Sequence, residues 1–429
     1  MMLRTIALAL GLAAIPAAVA AQAPETQEDA APSSLETSAE GVVAVFRGER
    51  PAAEVFSPTF LAAVPEAQLE ALHQQLVAQF GALQGLADVE PQGANKAIVS
   101  LRFERAIARG PMQLDAEGLV AGLLINQFEP IDDSATKIAA DIAALPGETS
   151  VYYAPLAEGA EPIVAVNADE QFAIGSTFKL YVLSALARQI AAGEHSWDEV
   201  VPLSTRSLPS GVMQNWPEGA PVTLHTLATL MISISDNTAT DQLIEIVGRD
   251  AVAEELRASG HSAPARTLPF LTTLELFGLK GDLARGRAYA AAGEEEQARL
   301  IEAFATEIAG DPDKIVKPTF TQPTAIDSLE WFASGRDLAG LLRRIVELDD
   351  PTAREIMAVT PAVPEPKRAD WSYIGYKGGS EPGVLNLTWL LRDKAGEWRI
   401  LTMSWNNPDA PVEPAAFELI AQRILSLPR

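Results

Sequence analysis

The chain of 429 residues contains no cysteine. That excludes disulfides, thiolate nucleophiles, cysteine zinc sites and cysteine-linked lipid anchors. Histidine is scarce as well. His73, His195, His225 and His261 are the only four, and none lies at ligand spacing from another. No metal site and no cofactor are expected, and each histidine is read as structural or surface. Basic residues are outnumbered, 32 Lys and Arg against 57 Asp and Glu, for a formal net charge of −25. A chain this acidic repels phosphate backbones and anionic lipid, so nucleic-acid binding is excluded as a function class. Long apolar runs are also lacking. The longest opens the chain, Thr5 to Ile15, and is too short to span a bilayer comfortably.

That opening run reads as a secretory signal over residues 1–20. Arg4 supplies the positive start, and Ala18-Val19-Ala20 fits the small-residue cleavage pattern, as does Ala21-Gln22-Ala23. An exported chain without cysteine suits a bacterial periplasm, with no membrane insertion once the signal is removed. Nearly half the residues are apolar (48%), enough for a sizeable core. A monomer is expected.

Residues 21–38 are polar, with proline and acid, and read as a disordered leader. Residues 39–128 read as a small α+β unit. Pro65 suits a helix start, and Leu69, Leu72, Leu76, Phe80 and Leu83 follow at helical steps. Val99, Leu101 and Phe103 alternate with polar residues as a strand, Gly110-Pro111 marks a turn, and Met112 and Leu114 a returning strand. After a linker, 129–147, a second domain over 148–429 opens with a hairpin, Val151–Tyr153 against Ile163–Val166. It closes with another, Leu385–Leu391 against Trp398–Trp405, and a final helix. Strands at both ends with helices between predict one antiparallel sheet built from both ends of the domain, beside a helical half.

Three motifs carry chemistry. Ser176-Thr177-Phe178-Lys179 opens a helix whose buried stripe is Leu180, Val182, Leu183, Leu186 and Ile190. Residues i and i+3 share a face, so Lys179 lies beside Ser176. A serine hydroxyl needs a neighbour to take its proton, and a desolvated lysine can do so. Alone, the pattern equally describes a helix-capping serine and a surface lysine. Ser235-Asp236-Asn237 interrupts an apolar helical stretch, either as a helix cap or as a proton relay with an amide that holds a substrate carbonyl. Lys377-Gly378-Gly379-Ser380 reads as a strand edge whose small residues admit a ligand, or as a glycine-rich turn.

In this order the three motifs resemble the S-x-x-K, S-D-N and K-[ST]-G set of serine β-lactamases and penicillin-binding proteins, with a class A-like spacing from 176 to 235. The resemblance covers about two thirds of the chain. It implies an α+β fold with a class A β-lactamase-like domain, Ser176 acylated by a carbonyl substrate, Lys179 as its base and Ser235 as proton shuttle. It also implies substrate contacts from Asn237, Lys377, Gly379 and Ser380, with the Ser176 and Ser380 amides as the oxyanion hole. The preceding α+β unit resembles the small NTF2-like domain of the two-domain β-lactamase-like form known from clavulanic acid biosynthesis.

Two departures qualify the pattern. Gly378 stands where the family has Ser or Thr, with Ser380 the nearest substitute hydroxyl. No E-x-x-L-N loop is present. The nearest carboxylate is Glu275, read first as a helix-start residue and second as a candidate deacylation base. The segment 282–318 reads as an inserted helix that could cover the site. Three readings follow: a hydrolase of β-lactams active in antibiotic resistance, an esterase or amidase on another small acyl substrate, or a receptor slowly acylated by a β-lactam or peptidoglycan fragment. If the export reading holds, the intact mass of protein recovered from a periplasmic extract corresponds to loss of residues 1–20; retention of the full mass in that fraction contradicts it.

Overall fold

The computed structural model describes residues 34–131 and 133–427. The signal segment and most of the expected leader lie outside these residues. Two compact units form, one over 135–414 and one that joins the segment up to 134 with the segment from 415. The closing helix, expected with the second unit, therefore groups with the first.

In the N-terminal unit, helix α1 (Ser34–Phe46) replaces the end of the expected leader. Its reason is a stripe: Leu35, Ala39, Val42, Val43 and Phe46 recur at helical steps and are buried, whereas composition alone registers only the acid and serine between them. Helix α2 (Pro58–Ala63) is capped by the Ser57 hydroxyl. Helix α3 (Glu66–Phe80) follows Pro65 as expected and ends at Gly81, whose φ of +81° breaks it. Leu83, expected on the helix, instead opens strand β1 (Leu83–Pro91).

Strands β2 (Lys96–Phe103), β3 (Ala106–Leu114), β4 (Val120–Leu123) and β5 (Gln127–Pro130) complete an antiparallel sheet. Gly110-Pro111 is not a turn. It lies inside β3, paired with Val99 and Ile98 of β2. On its other edge β3 pairs β5 through Arg109 and β4 from Met112. Proline has no N–H, so it fits the gap where the partner strand changes. A Cβ on Gly110 would overlap the Leu124 carbonyl.

The larger unit runs α4 (Ala135–Ala143), β6 (Glu148–Pro155), β7 (Val164–Val166), β8 (Phe172–Ala173), α5 (Lys179–Ala191), β9 (Val200–Pro202), β10 (Pro221–Thr223), α6 (Leu224–Ser233), α7 (Asn237–Val247) and α8 (Arg249–Ala258). It continues with α9 (Thr273–Gly281), α10 (Leu283–Ala291), α11 (Glu294–Ile308), β11 (Phe332–Ala333), α12 (Gly335–Val346), α13 (Thr352–Ala358), α14 (Glu365–Arg368), β12 (Tyr373–Glu381), β13 (Val384–Arg392) and β14 (Trp398–Asn406). Helix α15 (Pro414–Leu425) closes the chain.

Both expected hairpins form, and they share one sheet in the order β12-β13-β14-β6-β7, antiparallel throughout. Sheet and helical half meet around a single core that includes Leu180, Tyr181, Leu183 and Leu186 of α5. The segment 282–318 is helical, and Tyr289, Ile301, Phe304, Ile308 and Ile315 sink it into that core. No helix among the described residues is long and apolar enough to cross a membrane.

Helix α5 is fixed by one buried carboxylate. Glu255 of α8 accepts from Ser184 Oγ of α5 at 2.6 Å and from Arg344 of α12 through two bonds of 2.8 and 2.6 Å, with Arg188 of α5 at 3.3 Å. Removing one partner of a buried ion pair strands the other. Glu255→Ala is expected to cost about 3 kcal/mol, the low end for such pairs because both guanidiniums keep some solvent contact, and urea unfolding measures it.

Candidate active site

The three motifs meet within the larger unit. Ser176 sits on a short 3₁₀ turn, Gly175–Phe178, that runs directly into α5. Gly175 allows this entry, with a φ of +47°, and packs so closely on β12 that a Cβ would lie 3.1 Å from the Ser380 amide nitrogen. Gly379 faces the same turn: a Cβ there would stand 2.5 Å from the Ser176 nitrogen. The Ser176 and Ser380 amides are thereby brought side by side, which needs glycine on both surfaces. Thr177 fastens the turn from the other direction, donating to Asn386 Oδ1 of β13 at 2.7 Å.

Lys179 is fully buried at the first turn of α5. Its Nζ lies 2.7 Å from the Ser235 carbonyl, 2.7 Å from Asn237 Oδ1 and 3.1 Å from Ser235 Oγ. Lys377 reaches the same hydroxyl from β12, also at 3.1 Å, and donates to its neighbour's carbonyl, Gly378 O, at 2.5 Å. Burial pushes the Lys179 ammonium well below its ordinary range, and the Lys377 charge adds to that; Asp241 and Asp236 oppose it. Burial alone brings Lys377 down to about 7. A neutral amine has two N–H bonds, enough for the two short carbonyl contacts of Lys179, and keeps a lone pair for a hydroxyl proton.

The S-D-N segment is held in an uncommon backbone. Ser235 has a φ of +58°, a left-handed conformation rarely adopted by serine, and strain of this kind concentrates at functional sites. Its carbonyl is held by Ser210 Oγ at 2.6 Å as well as by Lys179. Asp236 caps α7 by accepting from the Ala239 amide, and its other oxygen takes the Val212 and Met213 amides at 2.6 and 2.9 Å. Asp236 thus serves as the cap, while Ser235 and Asn237 face the lysines. Sequence reasoning passed over Ser210, Asp236 as a loop anchor, and Thr177; the last is legible only as the residue beside Ser176.

Ser380 is exposed, and it is not what fills the place of the missing hydroxyl. A Cβ on Gly378 would collide with the Tyr376 hydroxyl and stand 2.9 Å from its ring. Tyr376 is buried and packs on Trp389, ring centroids 4.9 Å apart. Glycine at 378 is therefore the counterpart of tyrosine at 376, two residues away on the same face of the strand.

Glu275 does not join the cluster. Arg249 holds both of its oxygens, at 2.6 and 3.0 Å, and the Thr272 amide donates to it at 2.8 Å in a capping box at the start of α9. The helix-start reading describes it: three donors from Arg249 and Thr272 already occupy its oxygens. Beside it a second buried carboxyl anchors the same loop. Asp241 of α7 accepts from the Thr273 amide and hydroxyl, both at 2.7 Å, and from Leu274 at 3.0 Å, and burial pushes it up to about 6 despite these bonds.

None of the histidines takes part: His195 pairs with Glu199, His261 with the Phe332 carbonyl, His225 with Thr229, and His73 stacks on Phe46. No cluster of three or more metal-ligating side chains occurs among the described residues.

A family model described as the beta-lactamase enzyme family matches residues 133–359. Similar solved structures include a β-lactamase from Sphaerobacter thermophilus DSM 20745, 22% identical, covering 68% of this chain and 94% of that one with a TM-score of 0.47. A β-lactamase from Chitinophaga pinensis DSM 2588 is 19% identical, covering 68% and 95% with a TM-score of 0.44. A structure of PBP-A is 18% identical, covering 68% and 92% with a TM-score of 0.46. No curated protein matches.

The Tyr376–Gly378 pairing predicts that Gly378→Ser, which restores the family residue, is destabilising by about 1–3 kcal/mol through overpacking. Tyr376→Leu in the same chain relieves that cost. Thermal melting of the single and double variants measures both, and a Gly378→Ser protein as stable as wild type contradicts the pairing.

Proposed function

Because the chain belongs to the beta-lactamase enzyme family, we propose that it is a serine hydrolase that forms an acyl-enzyme at Ser176 on a β-lactam or a related small acyl substrate. The observation that carries this reading is the convergence of two buried lysines on Ser235 Oγ, one of them, Lys179, three residues after Ser176.

In acylation, neutral Lys179 takes the Ser176 hydroxyl proton as Oγ bonds to the substrate carbonyl carbon. The negative charge on the carbonyl oxygen is held by the Ser176 and Ser380 amides. The carbon–nitrogen bond then breaks, and Ser235 passes a proton, drawn from the lysine pair, to the leaving nitrogen. Asn237 orients the substrate amide, and Lys377 in its charged form attracts a substrate carboxylate. In deacylation a water adds to the ester, with Lys179 again the base, since Glu275 is committed to Arg249.

The esterase or amidase reading keeps the same machinery and is favoured by one feature, the loss of the hydroxyl at 378 beside Lys377. The receptor reading is favoured by the commitment of Glu275 to Arg249, since an acyl-enzyme without a water-activating carboxylate deacylates slowly. Export to the periplasm would place the enzyme where β-lactams arrive.

Nitrocefin and a fluorescent penicillin, followed by absorbance and intact mass, test the proposal. Turnover or a mass adduct localised to Ser176 is expected, and Ser176→Ala abolishes both; an adduct that survives the substitution overturns it. Lys179→Met is expected to lower the acylation rate by a hundredfold to ten-thousandfold, about the range for loss of a general base.

The pH dependence follows from Lys377. It is charged below about 7 and loses its charge as pH rises through that value. The apparent affinity for a carboxylate-bearing β-lactam therefore declines above about pH 7, while that for a neutral ester does not. Parallel KM measurements on the two substrates from pH 6 to 9 check the difference.

A further inference from the structure

A third buried lysine lies outside this chemistry. Lys280, in the last turn of α9, is fully buried; its Nζ is 2.7 Å from Glu330 Oε1 and is bonded also to Glu381. Both acids are themselves shielded, their side chains 1% and 11% exposed. The three groups come from three parts of the fold: α9, the segment before β11, and the end of β12. They are the titratable groups that face one another here among the described residues. Two carboxyl groups thus share a single ammonium. Burial and the adjoining Glu330 charge push Glu381 up to about 8, so one carboxyl keeps its proton at neutral pH and the cluster is uncharged overall.

The position of the cluster is what makes it informative. Glu381 directly follows Ser380 on β12. Glu330 directly precedes Trp331, whose carbonyl accepts the Ile174 N–H at 3.0 Å and whose ring stacks on Phe178 at 3.7 Å. Ile174 and Phe178 bracket the turn that carries Ser176. One ammonium therefore fastens both chain segments on which the neighbouring amides of Ser176 and Ser380 depend. A buried ion cluster is a weak source of stability, because desolvation offsets much of the attraction. What it does supply is a fixed distance between the groups it joins.

We propose that Lys280, Glu330 and Glu381 form a positioning clamp that sets the spacing of the two oxyanion-hole amides. The proposal rests on the acyl-enzyme reading above. These are positioning residues, since none touches the reacting atoms. When Glu381 loses its proton, two carboxylates repel across one ammonium in a dry site and the spacing loosens. Misplacing a catalytic group by about 1 Å can cost on the order of a hundredfold in rate.

The test uses the full chain, with single-turnover acylation by nitrocefin from pH 6 to 10 and a melting curve for each variant. Glu381→Gln keeps an oxygen for Lys280 but cannot ionise. The ratio of wild-type to Glu381→Gln acylation rates, which cancels the titration of Lys179 and Lys377, is expected to fall several-fold as pH rises through about 8. Lys280→Met is expected to lower the acylation rate by about a hundredfold with little change in substrate affinity. A merely structural role would move the melting temperature and leave the ratio flat with pH. A flat ratio overturns the clamp, whether or not Lys280→Met folds, and so does a folded Lys280→Met protein that acylates at the wild-type rate. If wild type forms no adduct at Ser176, the acyl-enzyme reading itself fails and the clamp falls with it, an outcome distinct from equal adduct formation by all three proteins.

Discussion

Two ammonium nitrogens converge on a single hydroxyl, Ser235 Oγ, each at 3.1 Å, inside a protein region that excludes most water. Both charges cannot be held there cheaply. Burial lowers each lysine, and the Lys377 charge lowers Lys179 further, so the pair is biased toward losing a proton. Everything nearby supports that contact. Asn237 and the Ser235 carbonyl orient Lys179, the left-handed backbone at Ser235 turns that carbonyl inward, and Asp236 ties the strained loop to α7 and to the amides at 212 and 213.

The scaffold answers a second requirement, that two peptide N–H groups from distant segments lie together. The turn at Ser176 and the strand at Ser380 approach more closely than any side chain on Gly175 or Gly379 would allow. Thr177 bonds Asn386 on the neighbouring strand, and the Lys280 cluster joins residues next to Ser380 and before Trp331. The loop before α9 is built for a different purpose. Its carboxylate, Glu275, is spent on Arg249 and on capping, and Asp241 secures the following residues. That loop therefore offers the lysine cluster no unengaged Glu275 carboxylate.

The places where local reasoning failed share a cause. Gly110-Pro111 has turn chemistry, yet the strand runs through it because the sheet changes partner there. Leu83 continues the apolar spacing of α3, yet Gly81 ends the helix first. The polar composition of residues 21–38 concealed the stripe of α1 at its end. In each case a long-range pairing or a single backbone conformation outweighed a pattern read over a short window.

Much of the larger unit was legible from sequence alone. Its two terminal hairpins, the helix after Ser176, and the three motifs with their residue types follow from periodicity, turn chemistry and spacing, because those are set by neighbours along the chain. Which of the polar residues meet was implied only by the family resemblance and not by any local pattern. Lys179 and Lys377 reach Ser235 across separations of 56 and 142 positions, and nothing local fixes those distances. Nor could the chain order show that Tyr376 occupies the space beside Gly378, that Arg249 claims Glu275, or that Lys280 joins two acids next to the amides. Burial creates these relationships, since a charge or hydroxyl removed from water must find its partner wherever packing has brought one.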